Sequence, residues 1–327
     1  AQKLGTELGF PKVTTDWRQL IADPEVDIVD ICAPSNLHRE IALAAIAAGK
    51  HLYCEKPVGL SGAESTEIAA AAAKKGIKTQ VGFSYVRHPV IGFAKKLIDD
   101  GTLGKVLHMR WTYNEDYMRD PEAPFTWRND PKLGSKAGAL GDLGAHGIAM
   151  TRLLAGDISA VCARTTLSHP MRKDPATGQM RKVGNEDIAD ALFECENGVT
   201  GIFSTSRITG GSKMAFTFEL TGTLGTIRWD AERYNEIQFF DARESKDRGG
   251  FRTILVNAAH TPFGNFCPAP GHGLGFNDFK VIEIYELMES IADGKQVLTD
   301  MNDGAKVGRI MDAVLDSAEK RAWVKVA

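Results

Sequence analysis

Short apolar runs and longer alanine-rich segments alternate along the first 86 residues. Each apolar run is bounded by turn residues, which predicts buried strands at 26–33, 51–54 and 78–83. Helical segments lie between them: the end of a helix in residues 1–10, then helices at 17–22, 37–48 and 61–75, with Asp16 and Asn36 as N-caps. Strands and helices that alternate at this length indicate βαβ units and a parallel sheet.

The pattern changes in the rest of the chain. A helix is predicted at 90–100, a strand at 104–113 and a helix at 138–155, whereas residues 114–136 have no clear period. From residue 159 to about 255, apolar and polar positions alternate, which predicts strands of one antiparallel sheet at 159–166, 187–195, 199–207, 214–221, 225–229 and 236–241. Asn197-Gly198 is typical of a hairpin turn. Helices at 281–292 and 305–320 should pack on this sheet or return to the first one.

We therefore predict two domains, an α/β domain over residues 1–86 and an α+β domain over residues 87–327. A dinucleotide-binding domain typically opens with a strand, a GxGxxG turn and a helix. No GxGxxG occurs here, and the chain begins about where the second strand of such a domain would end. The expected first sheet is thus a partial Rossmann-like sheet without its first β-α-β unit. We expect a protein that starts at Ala1 to bind dinucleotide poorly and to expose apolar sheet edge. Truncation and a missing pyrophosphate site both remain open.

Composition restricts the possible partners. The chain has 327 residues, 43% of them hydrophobic, and a net charge of −3, so no basic field suggests nucleic acid. No apolar run approaches the length of a membrane span, and no signal-peptide pattern opens the chain. The five cysteines have no CxxC spacing, and four of them (Cys32, Cys54, Cys162 and Cys195) lie in apolar runs. This pattern favours buried free thiols in a reducing cytoplasm over disulfides or zinc, so we expect a cytoplasmic protein.

Glu55-Lys56-Pro57 directly follows the predicted strand at 51–54. A single lysine is usually a solvated surface charge. Ligands of parallel α/β sheets, however, bind beyond the carboxyl ends of the strands, and a cation held there could orient a substrate hydroxyl. Because the lysine must turn sharply off its strand, we predict a cis Lys56–Pro57 peptide bond.

Asp142 and His146 are four residues apart in a predicted helix, so they should share one face. They could be a general base and its companion carboxylate, or an ordinary capping Asp and a buried His. A metal site is a further alternative, but no HExxH and no third ligand at a suitable spacing support it, so we expect no metal. Glu115, Asp116 and Trp127 could line a carbohydrate pocket or lie in a solvated loop. Three further cations are expected to be surface charges: Arg207, Arg252 and Lys280.

Several of these motifs occur in the order and spacing found in the Gfo/Idh/MocA oxidoreductases, which the chain resembles over essentially its whole length. The matching segments are Ala33-Pro34-Ser35-Asn36-Leu37-His38, Glu55-Lys56-Pro57, Gly141-Asp142-Leu143-Gly144-Ala145-His146 and the closing sheet. The resemblance implies an N-terminal Rossmann domain and an open-faced sheet domain that binds substrate and often forms the oligomer contact. It also implies that Lys56 and His146 flank the reacting carbon, with Asp142 beside them.

The resemblance implies further site residues. The residues expected along the cofactor, NAD or NADP, are Ala33, Pro34, Asn36, His38, Glu55, Lys56, Trp127 and Arg128. The similarity is greatest to the levoglucosan dehydrogenase-like group of the family, in which the substrate contacts would be Tyr85, Glu115, Trp127, Asp142, His146 and Phe276. Glu115 replaces a Gln of that group, and Phe276 replaces a Tyr.

The sequence thus indicates an NAD(P)-dependent dehydrogenase that oxidises a secondary hydroxyl of a sugar, anhydrosugar or polyol. It is expected to be a homodimer or homotetramer formed through the C-terminal sheet, with no nucleic-acid or membrane partner. The alternative is a non-enzymatic sugar sensor or scaffold on the same fold, or an inactive truncated form, because fold alone does not determine function. Lys56, Asp142 and His146 favour the enzyme, and the missing glycine-rich turn favours the alternative.

Overall fold

The first sheet is parallel, as predicted, and has three strands in the order β1-β2-β3. The computed structural model describes residues 1–327. Its first elements are α1 (Gln2–Glu7), α2 (Trp17–Ala22), β1 (Ile28–Ile31), α3 (Ser35–Ala47), β2 (His51–Cys54), α4 (Gly62–Lys75), β3 (Thr79–Val81) and α5 (Pro89–Asp99). Asp16 caps α2, as predicted. The prediction that Asn36 caps α3 is wrong. The carbonyl of Pro34 already accepts a hydrogen bond from the Leu37 amide (2.9 Å), so Asn36 lies within the first turn.

The second sheet has nine strands in the order β13-β12-β11-β10-β4-β9-β8-β5-β14. The strands are β4 (Val106–Asn114), β5 (Ile158–Thr166), β8 (Ile188–Cys195), β9 (Thr200–Ser206), β10 (Ala215–Gly222), β11 (Gly225–Asp230), β12 (Glu236–Asp241), β13 (Arg252–Leu255) and β14 (Val324–Lys325). It is mainly antiparallel, with the predicted hairpin at Asn197-Gly198. The one parallel pair lies at the centre of the sheet, where β4 pairs with β9.

Sequence periodicity missed four short strands. They are β13, β14 and the two strands of a separate hairpin, β6 (Met171–Lys173) and β7 (Met180–Lys182). Each has four residues or fewer, too short for an alternating pattern to stand out.

Three helices of the second part differ from the prediction mainly at their starts: α7 (Ala145–Leu154), α8 (Phe276–Asp293) and α9 (Met301–Lys320). A fourth, the single turn α6 (Pro131–Gly134), was not predicted, because it lies in the segment without a clear period. The helix predicted at 138–155 opens with a π-helical turn at Leu140–Gly144, a rare form that often occurs at functional sites.

The last long helix, α9, joins the two sheets. Its Ser317 hydroxyl accepts a hydrogen bond from the Ala163 amide of β5 (2.9 Å). On the other side, the α4 residue Gly62 donates its amide to the Asp312 carboxylate of α9 (2.8 Å). Just before α9, the Thr299 carbonyl accepts a hydrogen bond from the Val81 amide of β3 (3.0 Å). Both predicted packing partners of this helix are therefore real.

Two further features concern the apolar character of the helices and the state of the cysteines. No helix combines the length and the apolar character that crossing a membrane requires. All five cysteines are free, as predicted, but Cys32 is exposed because it lies just beyond the end of β1 rather than within the strand.

Candidate active site

The carboxyl end of β2 faces the π-helical turn that precedes α7. Glu55 and Lys56 follow β2 directly, and the Lys56–Pro57 peptide bond is cis, which confirms that prediction. The Lys56 ammonium donates hydrogen bonds to the backbone carbonyl of Asp142 and to its Oδ1 (3.1 Å). A lysine of the first domain and an acid of the second therefore meet in the cleft between the two domains.

The second carboxylate oxygen of Asp142 has partners of its own. The Tyr117 hydroxyl donates to Oδ2 (2.5 Å), and the Arg128 Nε lies 3.4 Å from the same atom. Burial alone would raise the pKa of Asp142, but Lys56, Tyr117 and Arg128 outweigh it and lower the pKa below its usual value. Asp142 is therefore an anion at neutral pH, held between two cations and a hydroxyl.

His146 lies in the first turn of α7 and is buried. The Tyr85 ring packs edge-on against its imidazole with 4.7 Å between ring centroids. Its Nδ1 is buried without any hydrogen-bond partner. Burial, and after it the charges of Lys56 and Lys280, lower the pKa of His146 well below its usual value. The imidazole is therefore neutral near pH 7 and can accept a proton.

A chain of hydroxyl groups leads away from the His146 ring. The hydroxyls of Tyr85 and Tyr113 lie 3.0 Å apart, and Tyr113 donates to Glu115 Oε1 (3.0 Å). Burial raises the pKa of Glu115. The Glu115 backbone is fixed to the end of β9 by a hydrogen bond from its amide to the Ser206 carbonyl (2.8 Å). Phe276 lies on the other side of Tyr85, with 6.1 Å between ring centroids.

A cavity of about 200 Å³ opens beside Lys56. Seven of the predicted site residues line it: Ala33, His38, Glu55, Lys56, Trp127, Arg128 and Asp142. The other predicted site residues do not line it: Pro34, Asn36, Tyr85, Glu115, His146 and Phe276. Four of these, Tyr85, Glu115, His146 and Phe276, form the adjoining cluster around the Tyr85 ring. Pro34 is exposed and Asn36 is half-buried on α3.

His38 connects the ends of the first two strands. One ring nitrogen lies 2.7 Å from the Ala33 carbonyl oxygen, and the other lies 2.9 Å from that of Pro57. The ring therefore fixes the two turns that follow β1 and β2. On the opposite wall of the cavity, the Arg128 guanidinium stacks over the Trp127 ring at 4.5 Å from its centroid.

Several residues behave differently from the sequence-based expectation. Arg207 is not a surface charge but is fully buried, with its Nε 2.9 Å from Asp187 Oδ1. Lys280 is half-buried and lies 2.6 Å from Glu55. Asp116 does not line the cavity, because it pairs with Lys213 (2.8 Å) near the surface.

Two tyrosines of the site were not predicted. Tyr113 could have been found from the alternation of β4, which turns Met109, Trp111 and Tyr113 to the buried face. Tyr117 lies in the aperiodic segment and had no comparable signal. Its role depends on a fold that brings this segment onto Asp142.

Comparison with known proteins identifies the class. Residues 1–83 match the oxidoreductase family with an NAD-binding Rossmann fold, and residues 92–228 match the GFO/IDH/MocA C-terminal domain. The chain belongs to this family, so it is an oxidoreductase with an NAD-binding domain. The resemblance inferred from the motifs is confirmed.

Two named relatives and one solved structure are similar to this chain over most of its length. The chain is 38% identical to levoglucosan dehydrogenase of Pseudarthrobacter phenanthrenivorans over 339 aligned residues, covering 100% of this chain and 86% of the relative. It is 26% identical to the NAD⁺-dependent scyllo-inositol 2-dehydrogenase of Bacillus subtilis, with 92% and 78% covered. A solved levoglucosan dehydrogenase complex with NADH and levoglucosan superposes with a TM-score of 0.96 at 38% identity, covering 100% of this chain and 87% of that chain.

The residues around the cleft fit the reacting end of a nicotinamide dinucleotide. The cavity lies beyond the carboxyl ends of β1 and β2, where α/β sheets bind such ligands. In the adjoining cluster, His146 Nδ1 is a buried polar atom without a partner, the kind of atom to which a bound polar group can form a hydrogen bond. Six of the eight residues expected along the cofactor line this cavity: Ala33, His38, Glu55, Lys56, Trp127 and Arg128.

Proposed function

We propose that this protein is an NAD-dependent dehydrogenase that oxidises a secondary hydroxyl of a sugar, anhydrosugar or polyol. The observation that carries the proposal is the meeting of Lys56 and Asp142 in the cleft, next to a neutral His146 with an unpartnered nitrogen. The names of the relatives, levoglucosan dehydrogenase and scyllo-inositol 2-dehydrogenase, support the substrate class. Residues 1–86 would bind the cofactor and residues 87–327 the substrate. The five unpaired thiols suit the reducing cytoplasm, where we propose that it acts.

Each residue of the cleft has a distinct part in this reaction. His146 accepts the proton of the substrate hydroxyl, because its imidazole is neutral. Lys56 donates a hydrogen bond to the same oxygen and stabilises the alkoxide that develops there. Asp142 holds the Lys56 ammonium in place through Oδ1. The chemistry that bound NAD⁺ supplies is acceptance of the hydride from the hydroxyl-bearing carbon.

The groups around His146 suit a compact, hydroxyl-rich substrate. Tyr85, Phe276 and Trp127 present ring surfaces against which the carbon skeleton of a sugar can pack, and Glu115 and Asp142 present oxygens that can accept hydrogen bonds from hydroxyls. The negative charge of a phosphorylated sugar would be repelled by the carboxylates of Glu115 and Asp142. An uncharged sugar or polyol is therefore the better match.

Turnover by site variants tests the proposal. The protein is incubated with NAD⁺ and a panel of levoglucosan, inositols and neutral sugars, and NADH formation is followed by absorbance. His146→Ala should lower kcat about 10²–10⁴-fold, as expected for loss of a general base, while NADH binding measured by fluorescence stays near normal. Lys56→Ala should be similarly severe, and Asp142→Asn should be milder, because Asp142 orients groups in the cleft and takes no proton in the reaction.

The exposed His272 supplies the matched control, since His272→Ala removes the same ring from a side chain whose only hydrogen bond is to the nearby Pro270 carbonyl. Near-normal turnover by His146→Ala would overturn the assigned roles. Absence of NADH formation with every substrate in the panel, despite measurable NADH binding, would instead favour the sugar sensor.

A second proposal concerns assembly. We propose that the open face of the nine-stranded sheet binds a second copy of this chain. A broad depression of about 890 Å³ runs across this face. Basic residues (Arg110, Arg164 and Arg228) and acidic residues (Asp190 and Glu219) alternate along it beside the exposed apolar pair Leu192 and Ile202. A two-fold related copy would place the bases of one sheet against the acids of the other.

A further inference from the structure

Lys280 extends from the second turn of α8 into the first domain. Its ammonium lies 2.6 Å from Glu55 Oε1, 2.8 Å from the Tyr53 hydroxyl and 3.2 Å from Glu283 Oε2. Tyr53 and Glu55 belong to the end of β2 and its following turn, so Lys280 links α8 to the residue that precedes Lys56. Lys280 itself is outside the set of residues assigned above to the reaction.

Glu283, the second carboxylate that Lys280 contacts, is held in place by several partners. Glu283 is fully buried, and its Oε2 accepts hydrogen bonds from the hydroxyls of Tyr53 (2.7 Å) and Ser84 (3.0 Å). Its other oxygen lies 3.5 Å from the buried Arg87 guanidinium. Arg87 is itself fixed by Glu286 (2.8 Å). Because every charge in this group has an opposite partner, Lys280 has one defined position.

The Lys280 charge also persists at neutral pH. Burial would lower the pKa of Lys280, but the carboxylates of Glu283 and Glu55 outweigh it and raise the pKa above its usual value. Glu55 is therefore paired with the Lys280 cation at neutral pH. The Lys56 ammonium donates its hydrogen bond to Asp142 instead of to Glu55.

We propose that Lys280 is a positioning residue for the reaction: by pairing with Glu55, it prevents this carboxylate from drawing the Lys56 ammonium away from Asp142 and the substrate oxygen. The inference rests on the proposed function. Without Lys280, the half-buried Glu55 carboxylate has no cation on that side, and Lys56, the next residue in the chain, becomes its partner. A shift of about 1 Å in a reacting group can cost on the order of 10²-fold in rate.

The test compares Lys280→Met, Lys280→Arg and the double variant Lys280→Met/Glu55→Gln with the unmutated protein. Lys280→Met should lower kcat by about 10²-fold with a much smaller change in substrate KM, because Lys56 is misplaced rather than substrate binding lost. Lys280→Arg, which keeps the charge, should recover most of kcat. The double variant removes the competing carboxylate and should recover kcat, measured at saturating NAD⁺ because Glu55 lines the cofactor cavity, to within about tenfold of the unmutated value.

The pH profile gives a second readout. Lys280 is one of the cations that lower the pKa of His146. The acid limb of kcat/KM should therefore move to higher pH in Lys280→Met, a change that a purely structural role would not produce. Lys295→Met is the matched control. Lys295 pairs with Glu289 on the outer surface of α8, and its removal should leave kcat and the acid limb unchanged.

The outcomes distinguish failure of the proposed function from failure of the role assigned to Lys280. If the unmutated protein binds NADH but shows no turnover, the proposed function fails and this inference fails with it. If the unmutated protein is active and Lys280→Met keeps kcat and the acid limb, Lys280 has no positioning role although the function stands. If Lys280→Met does not fold, the double variant decides, because it leaves no unpaired buried charge. Activity of the double variant as low as that of His146→Ala would show that Lys280 acts on the reaction directly, which also overturns the inference.

Discussion

The charge state of His146 depends on groups from four different elements. The Tyr85 ring shields one side of the imidazole from solvent, which disfavours the charged form. The positive charges of Lys56, in the first domain, and Lys280, on α8, also lower the pKa of His146. Asp142, one helical turn earlier, raises this pKa, but its effect is smaller. Because burial and two cations act together, the imidazole stays neutral at pH values well below the ordinary pKa of histidine.

This arrangement predicts an unusual pH dependence. An imidazole with an ordinary pKa of about 6.5 would lose its ability to accept a proton below that pH. The lowered pKa of His146 should therefore move the acid limb of kcat/KM below about pH 6.5. Titration of the His146 ring by NMR should give the same low midpoint, and Lys56→Met should raise it because one cation is removed. An acid limb at or above pH 6.5, or a midpoint that Lys56→Met leaves unchanged, would contradict this account.

At the scale of residues, the motifs indicated that Lys56 and Asp142 would meet, as they do, but the sequence did not indicate where single charges lie. Arg207, Arg252 and Lys280 were all expected on the surface. Only Arg252 behaves so, pairing with Glu244 in solvent, whereas Arg207 is buried and Lys280 joins the site. The difference lies in the partners, since Asp187 and Glu55 are 20 and 225 residues away in the chain. Local patterns do not carry that information.

Among the elements, the helix that bears Asp142 and His146 is held by a residue distant in sequence. The carboxylate of Glu186 accepts hydrogen bonds from the Gly138 and Leu140 amides, both at 2.8 Å. An anion at a helix N-terminus satisfies free amides and opposes the helix dipole. Glu186 lies two residues before β8, so the nine-stranded sheet directly sets the position of this helix. The helix itself was predictable, but its π-helical start and its cap were not.

Close packing of α4 against α9 gives a prediction for an element. A methyl group added at Gly62 would lie 2.8 Å from both the backbone nitrogen and the Cα of Arg309. Backbone atoms cannot move aside as a flexible side chain does, so Gly62→Ala should lower the free energy of unfolding by about 1–3 kcal/mol, measured by chemical denaturation. Gly250→Ala is the control, because no atom lies within 4 Å of its added methyl group. Equal stability of the two variants would show that the α4–α9 contact is loose.

For the molecule as a whole, alternation of strands and helices was sufficient to predict a parallel sheet followed by a mainly antiparallel one. The way in which the two sheets are joined was less accessible. Helix α9 contacts both, and α8 carries Lys280 and Glu283 into the first domain. Hydrophobic periodicity shows that a helix has a buried face but does not show which domain covers it. The cleft therefore depends on contacts between segments more than 200 residues apart.

The open sheet face leads to a prediction for assembly. Leu192 of β8 and Ile202 of β9 are cross-strand neighbours, and both are exposed at the middle of the charged depression. If a second copy covers this face, a double Leu192→Lys and Ile202→Lys variant should be driven toward the monomer, because it buries two extra cations in the contact. Light scattering coupled to size exclusion measures the mass of both proteins. Met180→Lys, an equally exposed apolar position on the separate hairpin, should leave the mass unchanged. An unmutated protein that is already a monomer, or a double variant that keeps the oligomeric mass, would show that the copies meet elsewhere or not at all.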